Sequence, residues 1–171
     1  LLLTLPIMLL ALSLHETAHG WVAWRCGDPT ARNLGRLTLN PLKHIDPMGL
    51  IFLMIFGYGW AKPVPINPRY FRKPKRDMAL TAAAGPAANL LLGLVNAVLY
   101  GLFFGLSYSQ ALLGSTGMLL TFLSILSDTF FYAAAINFMF MLFNLIPIPP
   151  LDGSKVLMML LPYRQSYWMQ Q

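Results

Sequence analysis

The chain has 171 residues, of which 57% are hydrophobic and 11% charged, against roughly 25% charged in an ordinary soluble domain. That imbalance excludes a typical water-soluble fold, and a single cysteine, Cys26, excludes an internal disulfide framework or a cysteine-rich zinc knuckle. The formal charge of +6 prompts a search for nucleic-acid partners, which the apolar runs argue against.

A helix needs about 20 mainly apolar residues to cross a hydrocarbon core of ~30 Å. Three segments meet that length and predict spans over about 1–24, 78–106 and 118–146. The first carries only His15, Glu16 and His19 as ionisable groups before Arg25, and it lacks the basic n-region and small-residue cleavage site of a signal peptide. Between the first two spans, Gly49 to Trp60 is apolar but would reach only about 18 Å as a helix, too short to cross. Its Gly57-Tyr58-Gly59 and its aromatics predict a re-entrant β hairpin or strand pair, tolerated at membrane depth only when packed in protein or lining a wet cavity. The fold class expected is therefore an all-α polytopic membrane protein, a single domain over 1–171 with three core spans and one small re-entrant β element.

The basic residues fit three crossings. Four precede the dip, six follow it and two follow the third span, while the connection at about 107–117 has none. All twelve then share one face, which the positive-inside rule makes cytoplasmic. The positive charge becomes a topological signal and a contact for anionic lipid, and nucleic acid is not expected as a partner.

His15-Glu16-Thr17-Ala18-His19 is an HExxH pattern. Residues four apart share a helix face, so both imidazoles can ligate one metal while Glu16 stands beside them to take a proton from an activated water. Random placement of three histidines and the sole glutamate gives only ~0.0003 expected matches. Catalytic zinc usually has three protein ligands and one open position, so one ligand is still missing. Asp28, Asp46, Asp128 and Asp152 are the plausible carboxylates. With three spans, Asp152 shares the cytoplasmic end with the two histidines and Asp128 does not. Asp152 also ends a run, Asn144 to Gly153, whose three prolines hold the chain extended.

These residues, with Gly85-Pro86-Ala87-Ala88-Asn89, Asn40-Pro41, Asp46-Pro47 and the stretch from Gly59 to Pro65, closely resemble the site-2 protease family of intramembrane zinc metalloproteases, in its compact subgroup without PDZ or CBS domains. The resemblance implies that His15, His19 and Asp152 bind one Zn2+ and that Glu16 is the general acid/base. It implies that Asn144 holds the substrate or polarises its scissile carbonyl, a role Asn89 is also a candidate for. It further implies cleavage of membrane-protein substrates within the bilayer, in a prokaryotic plasma (inner) membrane with the active site toward the cytoplasm. A membrane metal transporter using the same His/His/Asp site is the alternative, although it would need polar residues strung through the spans.

The remaining polar residues have structural readings. Gly85-Pro86 is expected to kink the second span, and Asn89 to find a partner near the active site or across a helix interface. His44 is expected to bond Asp46 or backbone, Cys26 to lie in the turn ending the first span, and Asp128 to cap a helix beginning at Thr129.

Overall fold

The computed structural model describes residues 4–56, 59–114 and 116–161. Among them, six helices follow in the order α1 (Thr4–Arg25), α2 (Thr30–Asn33), α3 (Pro47–Phe56), α4 (Pro74–Leu112), α5 (Met118–Asn144) and α6 (Asp152–Leu160), with 3-10 turns at Pro41–Lys43 and Pro68–Tyr70.

Helices α4, with 39 residues, and α5, with 27, are the two described helices long and apolar enough to cross a membrane. Helix α4 starts on Pro74, a position whose missing N–H costs nothing, and runs about 58 Å, well beyond the 78–106 expected from hydropathy. Its end and the start of α5 are joined through Gly114 and Gly117, at φ 72° and 107°, where backbone of that hand favours glycine. The two helices then pack antiparallel. Gly93 of α4 lies under the Phe138 ring of α5, where a Cβ would come within 2.8 Å of ring carbon. Further along, Tyr100 meets Phe131 and Phe103 stacks on Phe130, each pair with centroids 5.4 Å apart. Leu91, Val98 and Leu102 on α4 and Phe122, Phe131 and Leu142 on α5 face outward, a surface suited to lipid rather than water.

Helix α1 packs against both α4 and α5, and α6 packs against α4. At 22 residues, α1 covers nearly the whole first predicted span. Its buried residues are small or polar: Ala11, Ser13, His15, His19, Gly20 and Ala23.

Two expectations are corrected. Among the described residues, the segment 49–60 shows no β hairpin: Pro47–Phe56 is helical, and the one pairing nearby is an isolated antiparallel bridge between Ile45 and Ala61. The cause is a helix start in the sequence. Asp46 accepts from the Gly49 N–H at 2.9 Å, and Pro47 supplies the fixed φ of a first helical position. The chain still doubles back, since Lys62 N–H donates to the His44 carbonyl at 2.9 Å. Gly49 and Gly59 touch so closely that a Cβ on either would collide with the other segment's backbone. Gly57 and Tyr58, the centre of the predicted hairpin, lie outside the described residues. The second correction is Asp128, which caps nothing: α5 is already under way from Met118, and Asp128 is exposed within it.

Candidate active site

Helix α1 sets the two imidazoles one turn apart, 4% and 6% exposed, facing α4. The approach of α4 is possible because residue 85 is glycine. A Cβ there would lie 2.6 Å from His15 Nε2 and collide with His19 Nε2 as well. Asp152 arrives from a different direction, at the first residue of α6. The chain between α5 and α6 folds so tightly that a Cβ on Gly153 would collide with the Leu145 carbonyl.

Three atoms converge: Nε2 of His15, Nε2 of His19 and Oδ2 of Asp152. The nitrogens are 3.0 Å apart, and the carboxylate oxygen lies 3.2 and 3.0 Å from them. The far side of each ring decides what this cluster can hold. His15 Nδ1–H donates to Asn89 Oδ1 at 3.0 Å, and His19 Nδ1–H donates to the Thr81 carbonyl at 2.7 Å. With the ring protons committed there, both Nε2 atoms present lone pairs toward a carboxylate oxygen. Three acceptors facing one another without a proton make a donor set for a cation. Their spacing matches the edge of a tetrahedron, about 3.3 Å, around an ion with ligands at about 2.0–2.1 Å, the geometry of zinc. Among the described residues, this is the one cluster of histidine, cysteine and carboxylate groups able to grip a metal.

Burial alone would push the Asp152 carboxyl up. The adjoining His15 and His19, able to donate to it when protonated, and the Lys155 ammonium outweigh that and hold it well below the usual carboxylate range. Lys155 Nζ sits 3.3 Å from Asp152 Oδ1, the oxygen turned away from the histidines.

Glu16 stands beside the cluster with its Oε2 accepting from the Val64 N–H at 2.9 Å. It lines a cavity of about 180 Å³ together with His15, His19, Asp152, Lys155 and Asn144. A larger, mostly apolar groove of about 520 Å³ opens on the other side, between Leu9 and Leu12 of α1, Leu50 and Leu53 of α3, Trp60, and Phe140 and Phe143 of α5. His15, Glu16 and Asn144 line both. Asn144 donates through Nδ2 to the Phe140 carbonyl at 3.0 Å. Asn89 is fully buried and touches His15; it lines neither space.

The other candidate carboxylates lie elsewhere, Asp128 exposed on α5. Asp28, fully buried, accepts from the backbone of Thr30 and Asn67, and Asp46 caps α3. His44 Nε2–H donates to the Thr38 carbonyl at 2.7 Å. Cys26 is half-buried beyond the end of α1, and burial pushes its thiol up. Sequence reasoning missed Lys155, the Thr81 carbonyl and the Val64 amide, and it read Gly85 as a kink and not as the close approach to the two imidazoles. Lys155, three residues after Asp152 on a helix, and the lone N–H between Pro63 and Pro65 left a sequence signal, though their targets did not.

The model of peptidase family M50 matches residues 3–170. YwhC of Bacillus subtilis, named as a zinc metalloprotease, is 40% identical over 91% of this chain and 67% of its own length. Rip2 of Mycolicibacterium smegmatis, also named as a zinc metalloprotease, is 34% identical over 87% of this chain and 53% of its own length. Rip2 of Mycobacterium tuberculosis is 30% identical over the same shares. The chain thus spans between about half and two thirds of the length of these curated relatives. No solved structure matches it. The chain belongs to peptidase family M50, the site-2 protease family that its motifs resemble.

Proposed function

We propose that the chain is the catalytic core of an intramembrane zinc metalloprotease that hydrolyses peptide bonds in or near transmembrane segments of membrane-protein substrates. The observation that carries this reading is the convergence of His15, His19 and Asp152 beside Glu16, on a wall shared by a polar cavity and an apolar groove. His15, His19 and Asp152 would hold Zn2+. When bound, the ion supplies a Lewis acid for the scissile carbonyl and lowers the pKa of a water to about 7. Glu16 takes the proton of the attacking water and returns it to the leaving nitrogen. Asn144, on the wall common to both spaces, holds the substrate backbone near the reacting carbonyl. Asn89 acts one step back, keeping the His15 ring turned.

Peptide bonds in a transmembrane helix are hydrogen-bonded internally and dry, so hydrolysis needs local unwinding. The groove between α1, α3 and α5 suits the unwound, apolar part of the substrate, and the smaller polar cavity suits water. Helix α1 forms a third crossing beside α4 and α5, with the basic loops and the metal centre toward the cytoplasm of a prokaryotic cell. The transporter reading has no support from the family or the relatives.

The test compares the unaltered protein with Glu16→Gln. Zinc near one per chain is expected in both, with cleavage of single-span substrates in liposomes only for the unaltered protein. Zinc in neither would overturn the reading, and so would equal cleavage by both.

A further inference from the structure

The segment Pro63-Val64-Pro65 has one backbone N–H in three residues, because proline has none. That single donor is aimed at Glu16 Oε2, 2.9 Å away. The carbonyl of the same peptide group, Pro63 C=O, accepts from Arg36 Nη2 at 3.1 Å. The peptide is trans, so its oxygen and its hydrogen point in opposite directions. Arg36 and Glu16 therefore stand at the two ends of one peptide group, the guanidinium on its oxygen and the carboxylate on its N–H.

Arg36 is only 8% exposed and, among the described residues, has no carboxylate partner. A buried cation needs hydrogen bonds; here carbonyls alone supply them, to Nη1 and Nη2, while the buried Nε has no partner among the described residues. Nη2 also holds Lys62 O at 2.7 Å, and Nη1 bonds Lys43 O. A planar fork can bridge the two stretches of chain at once, which a lysine ammonium on its flexible stem cannot do as rigidly. The far side of the peptide is fixed too. Val64 is 6% exposed, and its side chain is seated in the notch left by Gly20, where a Cβ would come within 3.1 Å of Val64 Cγ1. Gly20 lies one helical turn beyond Glu16.

We infer that Arg36 is a positioning residue for Glu16, acting through the Pro63–Val64 peptide: it locks the peptide plane so that the Val64 N–H holds the Glu16 carboxylate at the edge of the metal cluster. The inference rests on the protease reading for its effect on rate, but the hydrogen-bond relay itself does not.

Two readouts separate those parts. The chain has five valines, so valine-selective 15N labelling of the full protein gives a sparse amide spectrum, and loss of one signal in Val64→Ile assigns Val64. Glu16→Ala and Arg36→Met are each expected to move the Val64 amide proton upfield while the other four signals stay in place. A Val64 signal indifferent to Arg36→Met overturns the inference whatever the protein cleaves. In cleavage assays, Arg36→Met and a Val64 backbone ester, which replaces the N–H by an oxygen and weakens the Pro63 carbonyl as an acceptor, are expected to lower kcat by about 10- to 100-fold with KM and zinc content unchanged. Arg36→Lys is expected to recover part of the loss. An ester variant with full kcat, or variants that lose zinc along with activity, would overturn the positioning role. Failure of the protease reading shows separately, as cleavage that survives Glu16→Gln.

Discussion

His15 and His19 each give their Nδ1 proton to a carbonyl oxygen on α4, and that choice of partner turns two ordinary histidines into a pair of bare nitrogens. The two bonds differ in vulnerability. Thr81 contributes backbone, which a substitution at that side chain leaves in place, whereas Asn89 contributes a side chain. Asn89→Ala is therefore expected to weaken zinc binding by about 10- to 100-fold, measured by chelator competition, with helix content unchanged. The histidines themselves are legible in the sequence because the whole pattern fits within one helical turn. The orienting asparagine is not, because 74 residues separate it from its ring, and only the packing of α4 against α1 joins them. The same holds for the peptide at Pro63–Val64, whose chemistry is visible in the letters as a lone donor between prolines but whose target is not.

Each helix begins or crosses where a small set of residues permits it. Helix α3 shows both how local signals work and how they are overruled in reading. Asp46-Pro47 is a clear helix start, yet the short apolar run and Gly57-Tyr58-Gly59 favour a β reading when no packing partner is known. Removing the cap tests this: Asp46→Ala is expected to destabilise α3 by about 1 kcal/mol, seen as faster amide exchange in its first turn and not in α4 or α5. The crossing of α4 and α5 depends instead on Gly93. Gly93→Ala would press a methyl into the Phe138 ring and is expected to cost about 1–3 kcal/mol, read as a lower unfolding temperature in detergent. Hydropathy locates both long helices and the bounds of α5 to within two residues, but it misses both ends of α4. The residues from Pro74 to Asp77 are too polar for an apolar window but continue the helix, with buried Asp77 accepting from the Lys73 N–H at 2.8 Å.

Across the whole molecule, the His15, His19 and Asp152 cluster ties together three parts of the chain: α1 and α6 by the converging side chains, and α4 by the partners of the histidine rings. The distribution of basic residues predicts which way this assembly faces. In a Cys26→Ser background, Thr116→Cys is expected to react with a membrane-impermeant thiol reagent added outside intact cells, while native Cys26 is expected to react only after the membrane is opened; the reverse pattern would invert the proposed orientation. Helix α4 also serves as a depth gauge. Thr81 and Asn89, its two contacts with the histidine rings, lie about 11 and 23 Å along the axis from Pro74. On the proposed protease reading, the bond brought to Glu16 therefore lies about two to four turns of α4 in from the level where α4 begins. On that reading, cleavage position is a matter of how far a substrate is sunk, and sliding its unwound part by one residue, about 3.3 Å of extended chain, carries the next peptide bond to the same carboxylate.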